Sequence, residues 1–178
     1  IKFKYYQVFV KKNLVLLGMM GVGKSTLGKM VAEEYNFEFI DTDTIIEEKN
    51  LMNINEIFQK KGEQFFRQQE EKEILNVLKR KNCIIALGGG AFINKKIRDR
   101  VLNETISIWL DTNVEILTKR VEQNQKRPLL VENDNLLKLK ELYEERKEIY
   151  KLANYKIVCD RLNKKDITKK IINLYEQY

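Results

Sequence analysis

Gly18, Gly23, Lys24 and Ser25 occupy the spacing G-x-x-x-x-G-K-[ST] within the stretch GMMGVGKST. Residue types at these intervals suit phosphate binding. Glycines let backbone N–H groups turn inward around phosphate oxygens, and a lysine at this place reaches the β- and γ-phosphates. A serine hydroxyl can ligate Mg²⁺, and a helix opening at the same point adds the positive end of its dipole. The backbone of Gly21, Val22 and Gly23, together with Lys24, Ser25 and Thr26, is therefore expected to hold ATP or a relative. Lys24 is read as a loop lysine facing solvent.

Two acids follow in Asp41-Thr42-Asp43, at the end of an apolar run. Beside a phosphate cradle, one carboxylate can hold Mg²⁺ through water. The other can accept a hydrogen bond from an attacking hydroxyl and keep it aimed at the γ-phosphorus. Strand alternation would put both carboxylates on one side. A plainer reading makes the pair a cap for a helix starting near Thr44. Gly88-Gly89-Gly90 ends another apolar run, where switch and motor proteins with such a cradle carry an acid. Three glycines there would let backbone come close to a ligand and donate N–H groups to its hydroxyls, although a tight turn needing positive φ would explain one of them. In Gly62-Glu63-Gln64-Phe65-Phe66-Arg67, Glu70 lies one helical turn beyond Arg67 and can fix its guanidinium as a fork for a carboxylate. The alternative is an exposed i,i+3 ion pair of little worth. The chain has no histidine, so a catalytic base must be a carboxylate or a lysine, and a His-ligated zinc site is excluded.

These residues need a scaffold. Five short apolar runs read as buried strands: 14–18, 37–41, 83–88, 106–111 and 155–160. Stretches of helical periodicity lie between or after them, at 26–35, 65–80, 113–123, 135–153 and 166–178. Alternating strand and helix specifies an α/β fold, a parallel sheet covered on both faces, with ligands at the carboxyl ends of the strands. The length favours one domain over 1–178. The polar stretch 122–135, which holds the chain's only proline, reads as a mobile loop. No apolar run approaches the roughly 18 residues of a membrane span, and the basic opening stretch lacks the apolar segment of a signal peptide, so a cytoplasmic address is expected. Cys83 and Cys159 sit in apolar runs and read as small buried hydrophobes. The net charge of +7 is spread along helices among glutamates, which argues for solvated faces rather than a nucleic-acid footprint.

Taken together, GMMGVGKST, DTD, GEQFFR with Glu70, LGGG, RPLL and the R-x-x-x-Y of Arg146 to Tyr150 resemble the shikimate kinases, over nearly the whole chain from about Asn13. The resemblance implies a P-loop NTPase three-layer sandwich, with a five-stranded parallel sheet flanked by helices and a mobile lid at about 122–135. It implies transfer of the γ-phosphate of MgATP to the 3-hydroxyl of shikimate, on the route to chorismate and the aromatic amino acids. Carried over residue by residue, Asp43 binds the substrate hydroxyls and acts as base, and Asp41 joins Ser25 in holding magnesium. Arg67 and Arg146 grip the shikimate carboxylate and Gly89 contacts a hydroxyl through its backbone. Arg127 reaches from the lid to the transferring phosphate, and Arg120 packs on adenine. Lys24, Asp43 and Arg127 would carry the catalysis. A monomer is the default.

Three features depart from the family pattern. Leu87 precedes the glycines in place of the usual Thr or Ser, the Asn-Arg after them is present only as Ile97 to Arg100, and Lys147-Glu148-Ile149-Tyr150 replaces a proline-containing version. The first dozen residues fall outside the resemblance and read as an edge strand or an ordered tail. The competing readings are a gluconate kinase on the same fold, which has no need of two carboxylate-gripping arginines, a nucleotide-binding regulator without turnover, and a basic nucleic-acid binder.

Overall fold

The computed structural model describes residues 11–123 and 135–178. Its five strands are β1 (Leu14–Leu17), β2 (Glu38–Asp41), β3 (Cys83–Ala86), β4 (Ile106–Asp111) and β5 (Tyr155–Val158). They form one sheet in the order β2-β3-β1-β4-β5, and every pairing is parallel. Parallel strands need crossovers, and helices cover both faces, so the central strands β1 and β3 are apolar along their whole length. All four residues of β1 and of β3 are buried, as the unbroken runs LVLL and CIIA require. The helices are α1 (Lys24–Tyr35), α2 (Thr42–Asn50), α3 (Ile54–Val77), α4 (Lys95–Glu104), α5 (Val114–Gln123), α6 (Asn135–Tyr150) and α7 (Lys164–Glu176), with a 3-10 turn over Ala91–Ile93. Among the described residues no helix is long and apolar enough to cross a membrane.

The five parallel strands match the α/β sheet read from the sequence. The helices differ in three places. Helix α3 was expected from Phe65 onward but begins at Ile54, behind a capping box between Asn53 and Glu56. It breaks at Gly62, where φ 82 and ψ 166 leave helical space. Helix α2 starts at Thr42 rather than near Thr44. Helix α4 was not foreseen. Asn94 caps it by accepting from the amides of Lys96 and Ile97, and it buries only Ile97 and Val101.

The carboxyl ends of three strands lie level, because Asp41 pairs with Ala86 and Ala86 with Leu16. The loops after β1, β2 and β3 therefore emerge side by side. One large core surrounds the sheet. A second, small cluster of Ile46, Ile57 and Phe66 sits between α2 and α3, apart from it.

Candidate functional site

The loop after β1 turns back on itself through Gly18, Gly21 and Gly23, with φ of 138, 79 and 103. Side chains with a Cβ rarely adopt such angles, so the glycines are required for backbone reasons. Gly23 opens α1 without a side-chain cap, which leaves the first helical amides to other acceptors. Lys24 corrects the sequence reading. It is the first residue of α1, only 8% exposed, and its Nζ donates to the carbonyls of Gly18 at 2.8 Å and Met19 at 3.0 Å. A long side chain at a helix start folds back under the loop that precedes it, so this lysine braces the cradle instead of facing solvent.

Ser25, one residue on, donates its hydroxyl to Asp41 Oδ2 at 2.5 Å. The same carboxylate accepts the Asp43 amide at 3.1 Å and so caps α2. The expected placement of Asp41 and Asp43 on one side of a strand is overturned here. The strand ends at Asp41, and Asp43 sits in the first turn of a helix where alternation no longer applies. Asp41 turns toward Ser25, and Asp43 toward the glycines after β3. Between them, fully buried Thr42 donates to the Ala86 carbonyl at 3.2 Å and accepts the Gly88 amide at 3.0 Å. That hydroxyl latches the two loops together.

The triple glycine is not the tight turn of positive φ that was its alternative reading. None of Gly88, Gly89 and Gly90 has positive φ; what they provide is room. A Cβ on Gly88 would lie 2.4 Å from Asp43 Oδ1 and 3.0 Å from Glu70 Oε1. One on Gly90 would lie 2.9 Å from Arg67 Nη1, and one on Gly89 3.4 Å from Arg146 Nη1. Two carboxylates and two guanidinium groups thus converge on one stretch of bare backbone. Because the Gly88 amide is engaged by Thr42, it is not one of the ligand-facing donors the sequence suggested.

Arg67 donates to Glu70 Oε2 at 2.7 Å and, through Nε and Nη2, to Glu63 Oε1 at 3.3 and 3.2 Å. The i,i+3 pair is not an exposed one, since the Glu70 side chain is 3% accessible. Burial pushes the Glu70 carboxyl above its usual range, and the pull of Arg67 offsets this only in part. For Arg67, burial works against the charge, but Glu70 and Glu63 outweigh it and hold the guanidinium protonated.

One cavity of about 810 Å³ runs along the strand ends. The cradle, Asp41, Asp43, Arg67, Gly89 and Arg146 line it, as does Arg120 on the side of α5 and α7. Arg127 and most of 122–135 lie outside the described residues. The sequence reading missed Thr42, Lys164 and Phe58, all three near the site. Phe58 lies eight residues before Phe66 on a helix interrupted at Gly62, which hides their common face. Thr42 and Lys164 carried no signal beyond their neighbours.

A central parallel strand that ends in a glycine cradle, followed by a lysine and a serine at the head of a helix, defines a P-loop NTPase fold. Comparison with known proteins narrows this class. The family model described as shikimate kinase matches residues 20–176. A shikimate kinase of Sulfurihydrogenibium sp. is 38% identical over 161 residues, 90% of this chain and 96% of the relative. One of Bacillus pumilus is 40% identical over 92% of this chain and 89% of its own length. Among solved structures, the shikimate kinase from Acinetobacter baumannii in complex with shikimate superimposes with a TM-score of 0.90 at 34% identity, covering 94% of both chains. The chain belongs to the shikimate kinase family.

Proposed function

We propose that this chain carries out its family's reaction, the ATP-dependent phosphorylation of shikimate at the 3-hydroxyl, as a single domain with the roles divided along the cavity. The observation that supports this division is the convergence of Asp43, Arg67 and Arg146 on Gly88–Gly90, level with the cradle. The phosphates of ATP lie against the cradle amides and the Lys24 ammonium. The Ser25 hydroxyl and the Asp41 carboxylate, already in contact, offer the hard oxygen donors that suit Mg²⁺, whose remaining positions water and phosphate would fill. The bound cation supplies neutralisation of phosphate charge.

Arg67, held by Glu70 and Glu63, and Arg146 take the acceptor's carboxylate with preset forks. The backbone at Gly89 meets a hydroxyl. Asp43 accepts the hydrogen bond of the attacking hydroxyl and receives its proton as the new O–P bond forms and the bond from the γ-phosphorus to ADP breaks. Arg120 packs against adenine, and Arg127, which lies outside the described residues, answers charge that develops during transfer. The protein acts as a monomer in the cytoplasm. A coupled assay tests the whole reading: ADP release should require shikimate and should not be supported by gluconate. Equal rates with gluconate, or none with shikimate, would remove the assignment.

A further inference from the structure

Tyr150 closes α6 one turn after Arg146 and is fully buried. Its ring packs on Trp109 of β4, with centroids 5.8 Å apart. Its hydroxyl lies 3.9 Å from Met19 Sδ in the cradle loop and donates to the Gly89 carbonyl. Arg146 stands beside the same backbone, its Nη1 3.4 Å from where a Cβ on Gly89 would lie, and its charge works against the burial that pushes the Tyr150 hydroxyl up. A phenol has one proton to give, here given to the Gly89 carbonyl, and lone pairs that a neighbouring guanidinium can use. No peptide bond among the described residues is cis, and in a trans peptide the N–H points opposite to the carbonyl. With the Gly89 carbonyl turned to Tyr150, the Gly90 amide is turned away from it. Gly89 and Gly90 line the cavity and Tyr150 stands behind them.

We propose that Tyr150 is a positioning residue for the acceptor, its hydroxyl fixing the plane of the Gly89–Gly90 peptide and the fork of Arg146 as one unit. Glycine peptides have the least intrinsic preference for one orientation, so an outside anchor matters most here. The anchor makes an amide and a guanidinium face the cavity together, the pair that a small molecule bearing a hydroxyl and a carboxylate needs. Where it names shikimate, this inference rests on the function proposed above.

The test is Tyr150→Phe, which keeps the ring and its packing on Trp109. In the protein without added ligand, amide hydrogen exchange in residues 88–91 should quicken on the order of ten-fold while that of β1 and β3 stays as in wild type. Exchange at 88–91 that does not change, or that rises equally across the sheet, would make Tyr150 a core residue only and overturn the proposal. Titration forms the second arm. Shikimate should bind about ten-fold more weakly, with nucleotide affinity within two-fold of wild type, and in an Arg146→Gln background the same substitution should add less than two-fold. Equal losses for both ligands, or full additivity, would sever the link to Arg146. Wild-type protein that ignores shikimate would sink the substrate reading instead, and the exchange arm would still decide the role of Tyr150.

Discussion

The two halves of the cavity are built by different means. The half proposed for the nucleotide is backbone: glycines with positive φ, a helix start and two carbonyls bracing Lys24, all set on the fully buried β1. The half proposed for the acceptor is side chain: Asp43, Arg146 and the bonded pair of Arg67 and Glu70 converge over bare glycines. The α2–α3 layer beneath much of it rests on a cluster of only three buried residues, Ile46, Ile57 and Phe66. A half fixed by backbone is defined by local sequence and by the main core. A half fixed by paired charges over a small cluster is easier to loosen, and its loss need not disturb the other.

Asp43→Asn should separate the halves most sharply. Asn is nearly isosteric, so the fold and nucleotide affinity should persist, while shikimate-dependent ADP release falls about 10²- to 10⁴-fold, the usual loss for a general base. Turnover within a few-fold of wild type would show that Asp43 is not the base, and lost nucleotide affinity would show that the halves are not separable.

A gentler perturbation is Ile57→Ala, which empties part of the small cluster. Loss of a buried isoleucine typically costs about 2–5 kcal/mol. Here it should appear as local loosening of α2 and α3, with a raised KM for shikimate and a nearly unchanged KM for ATP. If both constants rise in step, the cluster belongs mechanically to the main core.

The smallest effect should come from tightening that layer. Leu51 ends α2 in the left-handed region, φ 51 and ψ 36, with 91% of its surface exposed. A leucine there carries strain and buries almost nothing, whereas Asn tolerates the conformation. Leu51→Asn should raise stability by about 1 kcal/mol, read as a higher Tm, with kcat unchanged. A lower Tm would mean the leucine makes a compensating contact.

What the sequence disclosed follows the same division. The cradle was legible because its motif encodes backbone geometry directly, and the spacing of Arg67 and Glu70 encodes a helical pair. The burial of Glu70 was not legible, since a three-residue spacing reads the same on a wet face or a dry one. Asp41 and Asp43 were misplaced because a four-residue strand gives way to a helix with no intervening loop. The anchors on the glycines were hidden for another reason. Thr42 reaches a carbonyl 44 residues away and Tyr150 one 61 residues away, contacts that no local pattern carries.

The strand order has a consequence for how the molecule is made. β1 lies between β3 and β4, so the first strand of the sheet has no hydrogen-bonded neighbour until residues 83 and beyond have been synthesised, and keeps one edge open until β4 at Ile106 arrives. Until then the growing chain presents a wholly apolar strand, LVLL, with unmatched backbone groups. Pairing across such distances pays its loop-closure entropy before any contact rewards it, which slows closure of the sheet. A nascent chain therefore carries the phosphate motif early but acquires a shaped nucleotide site only late, when the sheet closes around the strand that began it.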